Sequence, residues 1–425
     1  MKWHVDTRCV QGAWRPKNGE SRVYPIVQST TFLYETPEAM GDLFDLKADG
    51  FFYTRLGNPT CDVAERKLAD LEGGVAAILT SSGMAATMMS ILNITQAGGH
   101  IVSTSALYGG TFNLLKNTLT KLGIETTFIE PDADDATIEA AFRPNTRLVF
   151  GETLSNPSLA IMDIERFARH AHAHHVPLIV DNTFPTPVNC RPIEFGADIV
   201  VHSTSKYLDG HATALGGVIV DSGKFDWHTG DYPELTTPDE SYHGLVYADQ
   251  FGPAAYIARC RTQLMRDFGP SPAPQNAFLL TRGMDTLHLR MERHCSNALT
   301  IAKALQADDR VSWVSYPGLP GDRYYELAKK YMPDGTCGVI SFGVKGGRAA
   351  AQAFQSHLKL AAIVTHVADT RTCILHPAST THRQMNDDQL REAGVSPDMV
   401  RFSVGIEHVD DILADVMQAL DKVNA

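Results

Sequence analysis

The sequence lacks several features that would settle its class at once. None of its 425 residues falls in an uninterrupted apolar run of the about 18 needed to span a bilayer. Its start, Met1-Lys2-Trp3-His4-Val5-Asp6, has no apolar stretch of the kind a signal peptide carries. Cysteine is sparse: seven are scattered at positions 9, 61, 190, 260, 295, 337 and 373, with no C-x-x-C pair. That pattern supports neither a disulfide framework nor a zinc site, and predicts a reduced, cytoplasmic setting with no metal. Positive charge is also short, with 37 Lys and Arg against 49 Asp and Glu. A net charge of −12 excludes a broad nucleic-acid footprint but leaves room for one basic pocket binding a small anion.

What is present is a βαβ rhythm. Residues 1–60 are rich in Pro, Gly and polar residues and predict an extended arm, which calls for a partner surface. From 61 to 260 helical patterns alternate with short apolar runs: Ala76 to Leu79, His100 to Val102, Glu125 to Ile129, Arg147 to Phe150, Pro177 to Val180 and Ala197 to Val201. Such runs read as buried strands of a mostly parallel sheet covered by helices, an α/β architecture. Cys61 to Glu72 is amphipathic and stops at Gly73-Gly74. An aromatic, Pro-rich insertion interrupts the rhythm at about 222–255. Residues 261–425 predict a smaller α+β domain, with helices over Pro274 to Arg282, Leu287 to Ala307 and Val409 to Val423 and a strand over Gly338 to Val344.

Two of the strand-like runs deliver polar groups at their carboxyl ends, the edge where open α/β sheets bind ligands. One ends in Asp181, the other leads into Ser203-Thr204-Ser205-Lys206. A lysine amine and a carboxylate so placed suit pyridoxal phosphate, whose aldehyde takes the amine and whose ring nitrogen takes the carboxylate. Ser81-Ser82-Gly83-Met84 joins a strand to a helix, so its N–H groups and the helix dipole favour an anion. Ser203 and Ser205 could add hydroxyls to the same phosphate. Tyr108 follows another strand run and could stack on a ring. His170 and His174 share one helix face, but without a Cys or carboxylate ligand pattern they read as surface residues.

These motifs, in order, resemble the γ-subfamily of fold-type I pyridoxal-phosphate enzymes of Cys/Met metabolism. The resemblance runs from Tyr53-Thr54-Arg55-Leu56-Gly57-Asn58-Pro59-Thr60, through Glu152-Thr153-Leu154-Ser155-Asn156-Pro157, to His376-Pro377-Ala378-Ser379-Thr380-Thr381-His382 and Arg401-Phe402-Ser403-Val404-Gly405. It implies that Lys206 forms the Schiff base and that Asp181 pairs with the pyridinium nitrogen. It implies a phosphate cradle of Gly83, Met84, Ser203 and Ser205, where the family usually has Thr at the position of Ser205. Tyr108 would stack on the ring and aid proton transfer, and Asn156 would lie near the phenolic oxygen. Arg401 would clamp the substrate carboxylate, and Tyr53 and Arg55 would reach the phosphate of a neighbouring subunit. The implied assembly is a homotetramer built as a dimer of dimers.

Within that family the insertion around Phe225-Asp226-Trp227 and Tyr242-His243-Gly244-Leu245 resembles the O-acetylhomoserine sulfhydrylases. Methionine γ-lyases carry Cys where this chain has Gly110. The implied activity is an alkyl transfer, from O-acetylhomoserine and sulfide or a thiol to homocysteine or methionine and acetate. γ-Elimination or replacement of the methionine γ-lyase or cystathionine type is the alternative. One departure stands out: His366-Val367-Ala368-Asp369 replaces the usual Asn-Val-Gly-Asp, putting a titratable ring near the substrate carboxylate.

Overall fold

The computed structural model describes residues 3–381, 383–384, 386–392 and 394–423, with residues 389, 391 and 392 by their backbone alone. His382, at the end of one quoted motif, lies outside the described residues.

Seven strands form the larger sheet: β1 (Ala76–Thr80), β2 (His100–Thr104), β3 (Glu125–Ile129), β4 (Thr146–Glu152), β5 (Leu178–Asp181), β6 (Ile199–Ser203) and β7 (Gly217–Asp221). Their order across the sheet is β1-β7-β6-β5-β4-β2-β3. Pairs from β6 to β3 are parallel, while β7 runs antiparallel to both β6 and β1. The sheet is therefore mixed, and β7 was not among the expected strands.

Alternation along the strands explains why both faces are buried. Leu178, Val180, Val200 and Val149 enter one apolar cluster, whereas Ile179, Ile199, Val201 and Phe150 enter another on the opposite face. Side chains two apart share a face, so a run of consecutive Ile, Val and Leu suits a strand covered on both sides. Edge strand β3, more polar, is correspondingly more exposed.

The helix expected from Cys61 to Glu72 spans Pro59–Glu72. The Asn58 side chain accepts from Thr60 N at 2.9 Å at its start, and Gly73 ends it with φ 82°, a left-handed conformation that suits glycine. The insertion is not a solvent loop. Trp227 stacks on Tyr256 with ring centroids 5.3 Å apart and meets Tyr232 edge-on at 5.2 Å, sealing the second apolar cluster. The arm departs from expectation too, because it contains helices Val5–Gln11 and Pro37–Phe44. Cys9 of the first is fully buried and Arg8 Nε donates to Asp70 Oδ2 at 2.9 Å, pinning it to Pro59–Glu72.

A second sheet of five strands follows: β8 (Val311–Ser315), β9 (Val339–Val344), β10 (Ala362–Ile363), β11 (Cys373–Leu375) and β12 (Met399–Ser403), in the order β10-β11-β12-β9-β8. Helices Leu287–Gln306, Gly347–His357 and Val409–Val423 bury its apolar side in a third cluster. Among the described residues no helix is long and apolar enough to cross a membrane.

Candidate active site

Strands β4, β5 and β6 end side by side, and their last residues begin the site. In the parallel register Glu152 is paired with Asp181. Asp181 Oδ1 accepts from Thr183 N at 2.9 Å and from Thr183 Oγ1 at 2.5 Å. Thr183 Oγ1 in turn accepts from Ser203 N at 2.9 Å, tying the end of β5 to β6. Burial pushes the Asp181 carboxyl above its ordinary range. Glu152 is pushed up further in kind, first by burial and then by the Asp181 charge. Its Oε1 accepts from Tyr108 N at 2.7 Å, fixing the start of the Tyr108 turn.

Ser203 Oγ and Ser205 Oγ lie 2.8 Å apart at the end of β6. Beside them begins the helix Gly83–Leu92, capped by Ser82 Oγ, which accepts from Ala85 N at 3.2 Å. A Cβ on Gly83 would meet Ser203 Cβ at 2.6 Å and its Cα at 2.8 Å. Glycine thus lets the helix N-terminus approach the two hydroxyls, as an anion cradle needs. Met84 packs behind, its Sδ accepting from Thr111 Oγ1 at 3.9 Å. The Tyr108 ring folds over Gly110, whose added Cβ would sit 2.5 Å from Tyr108 Cε1. A cysteine at 110 would push that ring aside.

Lys206 follows this edge. Burial, and next the Arg401 charge, lower its amine to about 8. Its Nζ lies 3.5 Å from His366 Nδ1. Arg401 reaches in from β12 of the smaller sheet. Its Nη1 donates to Asn156 Oδ1 at 3.4 Å, and Nη2 donates to the carbonyls of Thr365 and His366, both at 3.2 Å. Arg401 Nε and His366 Nε2 are buried with no hydrogen-bond partner. Donors left without partners beside an amine, a carboxylate and a paired-hydroxyl cradle match what pyridoxal phosphate and an amino-acid carboxylate would require.

Ten of the twelve residues singled out from the sequence thus meet at this edge, on elements up to 245 residues apart. Tyr53 and Arg55 do not join them within one chain. The Arg55 guanidinium lies 5.3 Å over the Tyr53 ring and donates to the Arg266 carbonyl. Both line a cleft of about 1040 Å³ shared with Tyr242, Arg261 and Arg266. Glu152 and Thr183 were not singled out: a carboxylate at the end of a strand run is visible in the sequence, but its place beside Asp181 is set by strand pairing. The histidines lie elsewhere: His170 and His174 both bond Glu139, at 3.0 and 2.8 Å, and His172 bonds Asp198 at 2.8 Å. Among the described residues no three His, Cys, Asp or Glu converge as a metal would need.

The model of the Cys/Met metabolism PLP-dependent enzyme family matches residues 6–421. The chain belongs to that family. It is 48% identical over 422 residues to a homocysteine synthase of Schizosaccharomyces pombe, covering 98% of each chain. It is 44% identical to an O-acetyl-L-homoserine sulfhydrylase of Leptospira meyeri, over 95% of this chain and 93% of that one. A crystal structure of a putative O-acetylhomoserine (thiol)-lyase from Campylobacter jejuni, which carries N'-pyridoxyl-lysine-5'-monophosphate, superposes with a TM-score of 0.95. That chain is 36% identical, and the match covers 99% of this chain and 100% of that one. The protein is thus a pyridoxal-phosphate enzyme with the fold of that family.

Proposed function

We propose that the protein is an O-acetylhomoserine sulfhydrylase. O-acetylhomoserine and sulfide give homocysteine and acetate, and a thiol such as methanethiol in place of sulfide gives methionine. The carrying observation is a buried amine of lowered basicity, Lys206, placed beside Arg401 and His366 in a chain so similar to a homocysteine synthase.

Pyridoxal phosphate, when bound, supplies the electron sink that makes the Cα and Cβ hydrogens of an amino acid removable. The helix start at Gly83 and Met84, with Ser203 and Ser205, would hold its phosphate. Lys206 would hold it covalently, Asp181 would face its ring nitrogen, Tyr108 would cover the ring and Asn156 would lie at its phenolic oxygen. Arg401 offers the substrate carboxylate a two-pronged guanidinium whose Nε has no partner of its own. With its amine near 8, Lys206 is unprotonated in a useful fraction near neutral pH and can take and return protons at Cα and Cβ. The C–O bond at Cγ breaks, acetate leaves, and sulfide forms the new C–S bond.

Tyr53 and Arg55 would complete the phosphate site of a neighbouring subunit in a homotetramer built as a dimer of dimers. Their separation from Lys206 within the chain, and the 43% exposure of Tyr53, support that reading. A cytoplasmic location fits the seven free, buried cysteines.

The test is a product assay on cofactor-loaded protein given O-acetylhomoserine with and without sulfide. Homocysteine should form in proportion to sulfide, with little 2-oxobutyrate, and Lys206→Ala should abolish it. Mostly 2-oxobutyrate and ammonia, whatever the sulfide, would make the protein a γ-lyase instead.

A further inference from the structure

We infer that His366 is the proton acceptor for the Lys206 amine, with Asp369 behind it. The three side chains form a line along which a proton taken up by Lys206 passes to His366, freeing the amine while Asp369 faces the charged ring. The inference rests on the reading of Lys206 as the residue that moves substrate protons.

The geometry is directional. His366 Nδ1 is the ring nitrogen 3.5 Å from Lys206 Nζ, and toward an ammonium, which can only donate, it must accept. A neutral imidazole that accepts at Nδ1 carries its hydrogen at Nε2. That Nε2 is buried without a hydrogen-bond partner and faces Asp369 Oδ2 at 3.8 Å. Asp369 is held in turn by Arg371 N, which donates to its Oδ1 at 2.7 Å. A carboxylate behind an imidazole steadies the ring's tautomer and its charged form, as in other relays of this layout.

The backbone holds the ring in place independently of the ring itself. The His366 carbonyl accepts from Arg401 Nη2 at 3.2 Å and from Cys373 Sγ at 3.4 Å. Ala368 N donates to Ser403 Oγ at 2.9 Å. Four charges face the imidazole: Lys206 and Arg401 from the two sheets, Asp369 from its own loop, and Asp209 from the loop after Lys206. Burial and the Lys206 charge hold His366 below its ordinary range, so near neutral pH it is an empty acceptor.

The step conserves its proton. The Nζ–H bond of the Lys206 ammonium breaks and an Nδ1–H bond forms. Lys206 becomes a neutral amine and His366 an imidazolium facing Asp369. The buried Nε2 keeps its own hydrogen throughout, and return of the proton from Nδ1 to Lys206 Nζ restores the neutral ring in its starting tautomer. An asparagine at this position could accept a hydrogen bond from Lys206 but could not take its proton.

Two measurements test the relay. The first needs no turnover: deuterium exchange at each imidazole Cε1, read by mass spectrometry across pH on the full cofactor-free chain. The His366 midpoint should rise when Lys206→Met removes the neighbouring cation. The second follows loss of the Cα hydrogen of norvaline in deuterated water on cofactor-loaded protein. His366→Asn, matched in size, should slow that exchange about 10-fold or more, the lower range for a proton-transfer group. Its visible absorption should remain, showing that the cofactor is seated; His366→Gln is the second variant for the same readout. An unchanged midpoint or an unchanged exchange rate overturns the relay. Norvaline has no leaving group, so the outcome is separate from the sulfhydrylase reading. A protein that exchanges norvaline through His366 yet makes no homocysteine would sink that reading alone.

Discussion

Glu152 and Asp181 are neighbours across two parallel strands, and two buried carboxyls so close do not both ionise readily. Asp181 accepts two hydrogen bonds from Thr183, which favour its anion, whereas Glu152 is raised further by that anion. The proton therefore belongs on Glu152 and the charge on Asp181, as a ring nitrogen partner requires. Glu152→Gln, a neutral isostere that still accepts from Tyr108 N, should stay within about threefold of the native rate. Asp181→Asn should lose about 100-fold or more, the scale for a charge aimed at the reacting group. Steady-state rates on loaded protein check both, and equal losses would reverse the assignment. Asp181 was legible in the sequence because it ends an unmistakable apolar run. Glu152 was not, because its importance comes from a register that only strand pairing sets.

At the scale of elements, β7 shows what alternation alone conveys poorly. Gly217–Asp221 is fully buried between β1 and β6, yet its antiparallel direction is decided by its neighbours rather than by its own residues. It ends in Asp221, whose Oδ1 accepts from Gly223 N at 2.8 Å while Oδ2 is buried without a partner. Burial raises this carboxyl from 3.8 to about 7. Between those values the unfolded chain has lost a proton that the folded chain keeps, so rising pH costs stability across that window and no further above it. Asp221→Asn keeps the acceptor and removes the titration. Its stability relative to the native chain should improve by about 2–3 kcal/mol from pH 5 to pH 8, at ~1.4 kcal/mol per pH unit. Urea unfolding at the two pH values measures this; the same difference at both would refute it. The packing of the aromatic insertion is hidden from the sequence for a related reason. Its Trp227 and Tyr232 belong to a core that forms only when Tyr256 arrives beside them.

For the whole molecule, the site is a seam between two sheets. Arg401 of the smaller one meets Asn156, in the loop that follows β4 of the larger. Behind Lys206, buried Arg290 Nη1 donates to the Tyr207 carbonyl at 2.7 Å, and Tyr207 Oη accepts from Gly338 N at 2.9 Å. These bonds bind the lysine loop to the second half of the chain. Sequence order showed which motifs exist, but not that residues 156 and 401 would touch. The same limit applies between chains, where Tyr53 and Arg55 are expected to act on a neighbour. If each site draws Lys206 from one subunit and the arm from another, two individually inactive variants should rescue each other. A mixed dimer of Lys206→Ala with Arg55→Ala has one site with both groups intact and one with neither. Random pairing puts half the dimers in that mixed form, so about a quarter of the native activity should return, the ratio a two-fold dimer dictates. Co-expression followed by the homocysteine assay provides the number. Should the mixture stay as inactive as its parents, Arg55 would serve its own chain, and the arm would need to swing back toward Lys206 across the cleft it now lines.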